Sequence, residues 1–259
     1  MSAKKAFTLV ELLVVIAIIA LLISILAPSL KTAKDLARQA ICATRLRGIG
    51  LASNLYGEAN GGELPNRTWG RDRINDGMMH PNALAVPYDY NKLVPIYLPD
   101  GSGRVSPCAH GFLHFYGMLA TDMLYCPLMD TAPNPTPRWL RSSYPDPYPY
   151  KKLDTFNYFY SGYMWNVNVD VKGEYGYTKY NRLDRVPAGA FMAMDIFLRR
   201  WDIAHLLAGP DNPAWQVAYS GGSVQMRQSQ EAYVHIQNTD MYNDWPDYLK
   251  ALEYIQGKL

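Results

Sequence analysis

The sequence predicts a mixed α+β chain, with one long N-terminal helix followed by a body of short strands and ordered loops. Three observations carry that prediction. The stretch KKAFTLVELLVVIAIIALLISILAPSL, Lys4 to Leu30, is a nearly unbroken apolar run. Apolar residues then continue at helical spacing to about Tyr56. The chain also holds 20 tyrosines, 18 prolines and 19 glycines, a mixture that suits strands and turns better than a helical bundle.

The first element is membrane-like. From Leu12 to Ala27 the only polar residue is Ser24. Counted from Phe7, the segment is about 21 residues, roughly 31 Å of helix, which matches the hydrocarbon core of a bilayer. An ordinary cleaved signal peptide has a shorter apolar core of about 7–15 residues and then a small-residue cleavage site; here the pattern runs straight on into another helical stretch. Lys4 and Lys5 lie on one side of the run and Lys31, Lys34 and Arg38 on the other, so charge bias alone does not orient it. Glu11 is an acid set just inside the apolar start, where burial of an ionised group is costly.

Past Pro28, which lacks the amide a helix needs and so marks a kink or a local break, Leu36, Ala40, Ala43, Leu46 and Ile49 keep the helical stripe. The predicted helix runs from about Thr8 to about Tyr56, its second half packed on the body and its basic residues forming a solvated face. GEANGGELP, Gly57 to Pro65, ends it with turn residues.

In the body, RTWGRDRINDGMMHPNALAVPYDY has no clear period and reads as loop. FLHFYGMLATDMLYCP reads as a short helix followed by a strand. TAPNPTPRWLRSSYPDPYPYKK reads as a surface excursion. NYFYSGYMWNVNV alternates as a strand does, and AGAFMAMDIF is a short buried strand ending in Asp195. NDWPDYLKALEYIQG closes as a helix, with Asn243 or Asp244 as cap, Pro246 in the first turn and Gly257 at the end.

The N-terminal run resembles the class III signal of type IV pilins and type II secretion pseudopilins: a short basic leader, a small residue, then Phe-Thr-Leu-Val-Glu and the apolar helix. The resemblance implies cleavage by a prepilin peptidase between Ala6 and Phe7 and methylation of the new Phe7 N-terminus. Ala6 stands where the family usually has Gly. It implies that Glu11, fifth in the mature chain, pairs with the N-terminal amine of a neighbouring subunit and sets the axial register. The implied fold is α+β and pilin-like, with the long helix packed on an antiparallel β-sheet that carries loop insertions. The implied organisation is a leader at 1–6, a transmembrane helix at 7–28, an amphipathic half at 29–56 and a globular domain at 57–259.

Further segments resemble a subgroup of bacterial pilin-like proteins. CATRLRGIGLASNLYGEANGGELP carries Cys42 at a subgroup position, with Thr44 and Arg45 in place of a more usual Asn-containing run. LYCP, Leu124 to Pro127, matches the Cys-Pro element. HLLAGPDNPAWQVAYSGGSVQM is similar to the C-terminal signature of a His, a spacer and Asp-Gly. His205 fits the His and Asp195 the upstream acid; Gly221 stands where Asp is expected, ahead of Gly222, and a glycine pair still suits a hairpin turn.

The spacing of the three cysteines, Cys42, Cys108 and Cys126, does not choose a pair. The resemblance points to Cys42–Cys126 as a disulfide tying helix to sheet, with Cys108–Cys126 as the rival and no bond as a third case.

The formal net charge is +2, which gives no bulk attraction for nucleic acid. CAHGFLH places Cys108, His110 and His114 near Cys126, but the spacing fits no standard zinc motif. Asp195, His205 and Ser220 or Ser223 supply the residue types of a triad, without a Gly-x-Ser-x-Gly elbow. Asp195, Asp202 and Asp211 are a candidate calcium set without an EF-hand pattern; otherwise no cofactor is expected.

The resemblance thus implies a structural filament subunit and not an enzyme, whose partners are the prepilin peptidase, other pilin or pseudopilin subunits and the bacterial inner membrane. The protein would cross that membrane once, with its body outside the cytoplasm, and end in a periplasmic or cell-surface filament. Asp195 and His205 are expected to hold the C-terminal hairpin. The alternative is a membrane-anchored binding module using the same export signal, with Trp139, Tyr144, Tyr148 and Tyr150 stacking on carbohydrate.

Overall fold

A computed structural model of the chain describes residues 8–65, 83–87, 96–97, 104–107, 110–128, 159–161, 163–165, 169–172, 175–195, 205–206, 212–239 and 245–257. Helix α1 spans Leu9–Ala59 without interruption. Pro28 lies within it; its missing N–H leaves the Ser24 carbonyl without the usual amide donor, but the helix carries through. Along the first half the large apolar side chains are bare to the surroundings, from Leu9 through Leu30. In the second half Cys42, Leu46, Ile49 and Ser53 recur at three- and four-residue steps and are fully buried.

The end of α1 is set by glycine. Asn60 is the C-cap; Gly61 and Gly62 take φ of 65° and 88°, where other residues are strained, and the Gly62 N–H returns to the Gly57 carbonyl at 2.8 Å. The chain then pairs with residues 181–183: Leu64 N–H donates to the Asn181 carbonyl and Leu183 N–H to the Gly62 carbonyl.

The strands in chain order are β1 (Ala83–Pro87), β2 (Ile96–Tyr97), β3 (Arg104–Pro107), β4 (Phe159–Tyr160), β5 (Tyr163–Trp165), β6 (Val169–Lys172), β7 (Tyr175–Thr178), β8 (Phe191–Asp195), β9 (His205–Leu206), β10 (Pro213–Tyr219) and β11 (Val224–Gln228). Among the described residues every strand pairing is antiparallel. The sheet that α1 packs on has the order β11-β10-β8-β5, with β9 also on β10. A four-stranded sheet of order β2-β3-β1-β4 and the β6–β7 hairpin complete the set. The fold is α+β, a long helix on an antiparallel sheet.

Among the described residues three shorter helices follow: α2 (Gly111–Phe115), α3 (Gln230–Asn238) and α4 (Trp245–Gln256). Ser229 caps α3 by accepting from the Ala232 N–H at 3.1 Å. Ala232 and Ile236 of α3 join Tyr248, Ala251, Leu252 and Ile255 of α4 in the core. Gly257, at φ 69°, ends α4; Asn243 and Asp244 lie outside the described residues.

Three local readings are corrected. Ala83–Pro87, read as loop, is a strand, because β3 and β4 supply its ladder partners. After α2 comes a 3₁₀ turn at Thr121–Leu124 instead of a strand, with Ser161 holding the Leu124 carbonyl and Arg45 and Tyr163 the Tyr125 carbonyl just after it. The basic side of α1 is not all solvated: Arg45 has only 21% of its side chain exposed and reaches back onto the body.

Candidate functional site

Two places gather the residues singled out above. The first is the opening turn of α1. Thr8 is its N-cap and Glu11 its N3 residue. The Thr8 N–H and hydroxyl both donate to Glu11 Oε2 at 2.8 Å, and the Glu11 N–H donates to the Thr8 hydroxyl at 3.3 Å. This reciprocal capping box is written in the sequence as Thr-Leu-Val-Glu, a signal the sequence reading did not use. Both bonds from Thr8 fall on one carboxylate oxygen. Ala6 and Phe7 lie outside the described residues.

The second place lies where α1 meets the sheet. β8 and β9 follow one another along the same edge of β10: Met194 is opposite Val217, and His205 opposite Ala214. The register leaves Gln216 between them, and its N–H donates to Asp195 Oδ2 at 2.7 Å. The carboxylate therefore fills a missing rung of the ladder. The same oxygen lies 2.9 Å from His205 Nε2. Since an ionised carboxylate only accepts, that nitrogen carries the proton. Asp195 and His205 are both wholly buried.

Cys126 Sγ is 3.5 Å from His205 Nε2 and is bonded to Cys42 of α1, the two Cα atoms being 5.3 Å apart. A crosslink across a loop of this length contributes about 2–5 kcal/mol. The approach to Cys126 is fixed by three donors. Ser161 donates to the Leu124 carbonyl at 2.6 Å, and Arg45 and the Tyr163 hydroxyl donate to the Tyr125 carbonyl at 2.6 and 3.3 Å. Burial, with the Asp195 charge nearby, pushes the Tyr163 phenol up, and Arg45 pulls the other way. Ser161, Arg45, Tyr163 and the Gln216 amide were not found by sequence reading; none belongs to a motif, and each acts across long sequence separations.

The arrangement is not a nucleophile relay. A Cys-His-Asp relay needs sulfur and carboxylate on opposite ring nitrogens, whereas here both face Nε2 and the sulfur is in a disulfide. Ser220 sits at the far end of β10 and donates to the Pro187 carbonyl; Ser223 closes the β10–β11 turn, accepting the Tyr219 N–H.

Residues 1–27 match the prokaryotic N-terminal methylation motif. That motif is the signal of type IV pilins and pseudopilins. It covers the first 27 residues, most of the bare half of α1, and stops before the body. No curated protein and no solved structure matches the chain. The methylation motif and the apolar helix together fit a membrane-anchored protein: the most apolar 18-residue window of α1 has a mean hydropathy of 3.2 and is 0% buried.

The remaining candidates are dispersed. Gly221 and Gly222 form the β10–β11 turn, with Gly222 at φ 79° donating to the Tyr219 carbonyl. His114 Nδ1 lies 2.8 Å from the Leu119 carbonyl. His110 is wholly buried, neither ring nitrogen has a hydrogen-bond partner among the described residues, and burial pushes its pKa down to about 3. Cys108, Asp202, Asp211, Trp139, Tyr144, Tyr148 and Tyr150 lie outside the described residues.

Proposed function

We propose that this protein is a structural subunit of a type IV pilus-like or type II secretion pseudopilus-like filament. The observation that carries the reading is the methylation motif at 1–27 running without a break into a helix whose first half is exposed along its described residues. A prepilin peptidase cuts between Ala6 and Phe7 and methylates Phe7. The exposed half of α1 resides in the inner membrane and then packs among the helices of other subunits. Glu11 meets the N-terminal amine of a neighbour; its Oε2 caps the helix, and Oε1 faces the incoming cation. Such pairing offsets the cost of a carboxylate at depth, about 2.5–3.5 kcal/mol on insertion scales for Asp.

The test is intact mass and N-terminal sequencing of the full chain co-expressed with a prepilin peptidase and filament machinery, together with cross-linking of the sheared fraction. The expected product starts at Phe7, is one methyl group heavier, and cross-links to other subunits. A mature chain starting near Ala27 or later means an ordinary signal peptide, and the filament reading falls with it.

A further inference from the structure

The buried polar pair beside the disulfide has no purpose that the disulfide itself supplies. A disulfide needs neither an imidazole nor a carboxylate nearby, and burying a carboxylate is costly unless a cation compensates it. Yet the Cys42 and Cys126 sulfurs and the His205 ring lie within 4.8 Å of one another and are fully buried, with Asp195 Oδ2 at 2.9 Å from His205 Nε2. Two further buried atoms of the pair, His205 Nδ1 and Asp195 Oδ1, have no hydrogen-bond partner among the described residues.

Three donors of a tetrahedral soft-metal site lie together, two sulfurs and one imidazole, and the Asp195 carboxylate beside the imidazole is the candidate fourth. Zinc bonds of about 2.3 Å to sulfur and about 2.0 Å to nitrogen set a sulfur-to-nitrogen edge of roughly 3.5 Å. The Cys126 Sγ to His205 Nε2 separation is 3.5 Å. The supports around such a site are also built. The Gln216 N–H orients Asp195, and the Leu124 and Tyr125 carbonyls just before Cys126 are held by Ser161, Arg45 and Tyr163.

We propose that Cys42, Cys126, His205 and Asp195 form a zinc-class divalent metal site in the thiol state of the chain, exclusive with the disulfide. Binding to the dithiol forms two metal–sulfur bonds and one metal–nitrogen bond at His205 Nε2, moves the imidazole proton from Nε2 to Nδ1, which has no partner among the described residues, and releases the two thiol protons. Oxidation by an acceptor disulfide reverses it: the two cysteine sulfurs give two electrons and bond to each other, the acceptor takes these electrons and two protons to become two thiols, and the metal leaves. One cluster thus joins α1 to the sheet in either redox state.

The test uses the detergent-solubilised full chain carrying Cys108→Ser, so that the third cysteine does not contribute. The chain is reduced with a phosphine, freed of metal and titrated with Co²⁺, then with Zn²⁺. The expected result is one equivalent of cobalt with thiolate charge-transfer bands, displaced by zinc, and two protons released per metal. The disulfide form shows no such bands. Asp195→Asn is expected to weaken binding by about 10–100-fold, and Cys42→Ser to abolish the thiolate bands of a two-sulfur site. Circular dichroism is followed throughout. A reduced chain that refolds as cobalt binds supports the site. A reduced chain without thiolate bands, folded or unfolded, overturns it, as do bands that persist unchanged in the disulfide form or in Cys42→Ser.

Discussion

Arg45 donates to the Tyr125 carbonyl at 2.6 Å, one residue before the crosslinked Cys126 and three residues after Cys42 on α1. Its other terminal nitrogen meets Asp122 at 3.2 Å, where the carboxylate is largely exposed. The guanidinium and the disulfide therefore clasp the same loop to the same two turns of helix.

Arg45→Ala is expected to destabilise the body by about 1.5–3 kcal/mol, the range for a hydrogen bond from a charged donor. The exposed Asp122 contact adds little, so Asp122→Ala should shift the denaturant midpoint far less. Urea unfolding of both variants measures the contrast. Equal shifts would mean that the exposed ion pair, and not the carbonyl contact, carries the clasp.

For Asp195 the expected order is Asp195→Ala worse than Asp195→Asn. The amide oxygen of Asn still accepts the Gln216 N–H, while Ala leaves that donor unpaired and the His205 Nε2 with only the Cys126 sulfur beside it. Breaking a buried pair of this kind costs about 3–5 kcal/mol. If thermal unfolding gives the two variants the same midpoint, Asp195 does not fill the ladder rung.

His110 predicts a pH dependence. Burial holds its folded pKa at about 3, against an unfolded value of about 6.5. Between these values the unfolded chain binds a proton that the folded chain refuses, so this contribution is whole above about pH 6.5 and is lost as pH falls toward 3. The slope approaches about 1.4 kcal/mol per pH unit. His110→Phe removes that slope and leaves other groups' titration in place. Unfolding free energies measured from pH 7 to pH 4 in both proteins check it, and parallel curves would refute it.

Glu11→Leu removes an acid from the apolar segment, so membrane insertion stays intact or improves. It also removes both the cap on Thr8 and the proposed inter-subunit partner, so assembly fails or slows. Carbonate extraction reads insertion, and the sheared filament fraction reads assembly. A leucine variant that assembles as well as the parent chain shows that Glu11 pairs with no amine.

The parts of this fold that were legible in sequence are those whose cause is local. The apolar run and its three- and four-residue spacing define α1; the buried run of Phe191–Asp195 defines β8; a proline in the first turn and a terminal glycine bound α4. Ala83–Pro87 escaped because its pairing comes from β3 and β4, far along the chain. The turn at Thr121–Leu124 escaped for the same reason, since Arg45, Ser161 and Tyr163 fix the carbonyls that follow it. At the site, a family resemblance singled out Cys42, Cys126, Asp195 and His205, but no spacing could say that they meet. Their meeting depends on β8 and β9 sharing one edge of β10.

Cys42 is the first fully buried position of α1 after the bare half, and this gives the crosslink a mechanical place. Tension applied through the membrane-side half of the helix reaches Cys42 before it reaches Leu46, Ile49 or Ser53. Peeling the helix from the sheet at that front requires rupture of a covalent bond, whereas peeling from the Gly57 end would part packed side chains and then the Arg45 contacts one after another before it reached the crosslink. Under a pull along the N-terminal helix, the body follows that helix as a single piece.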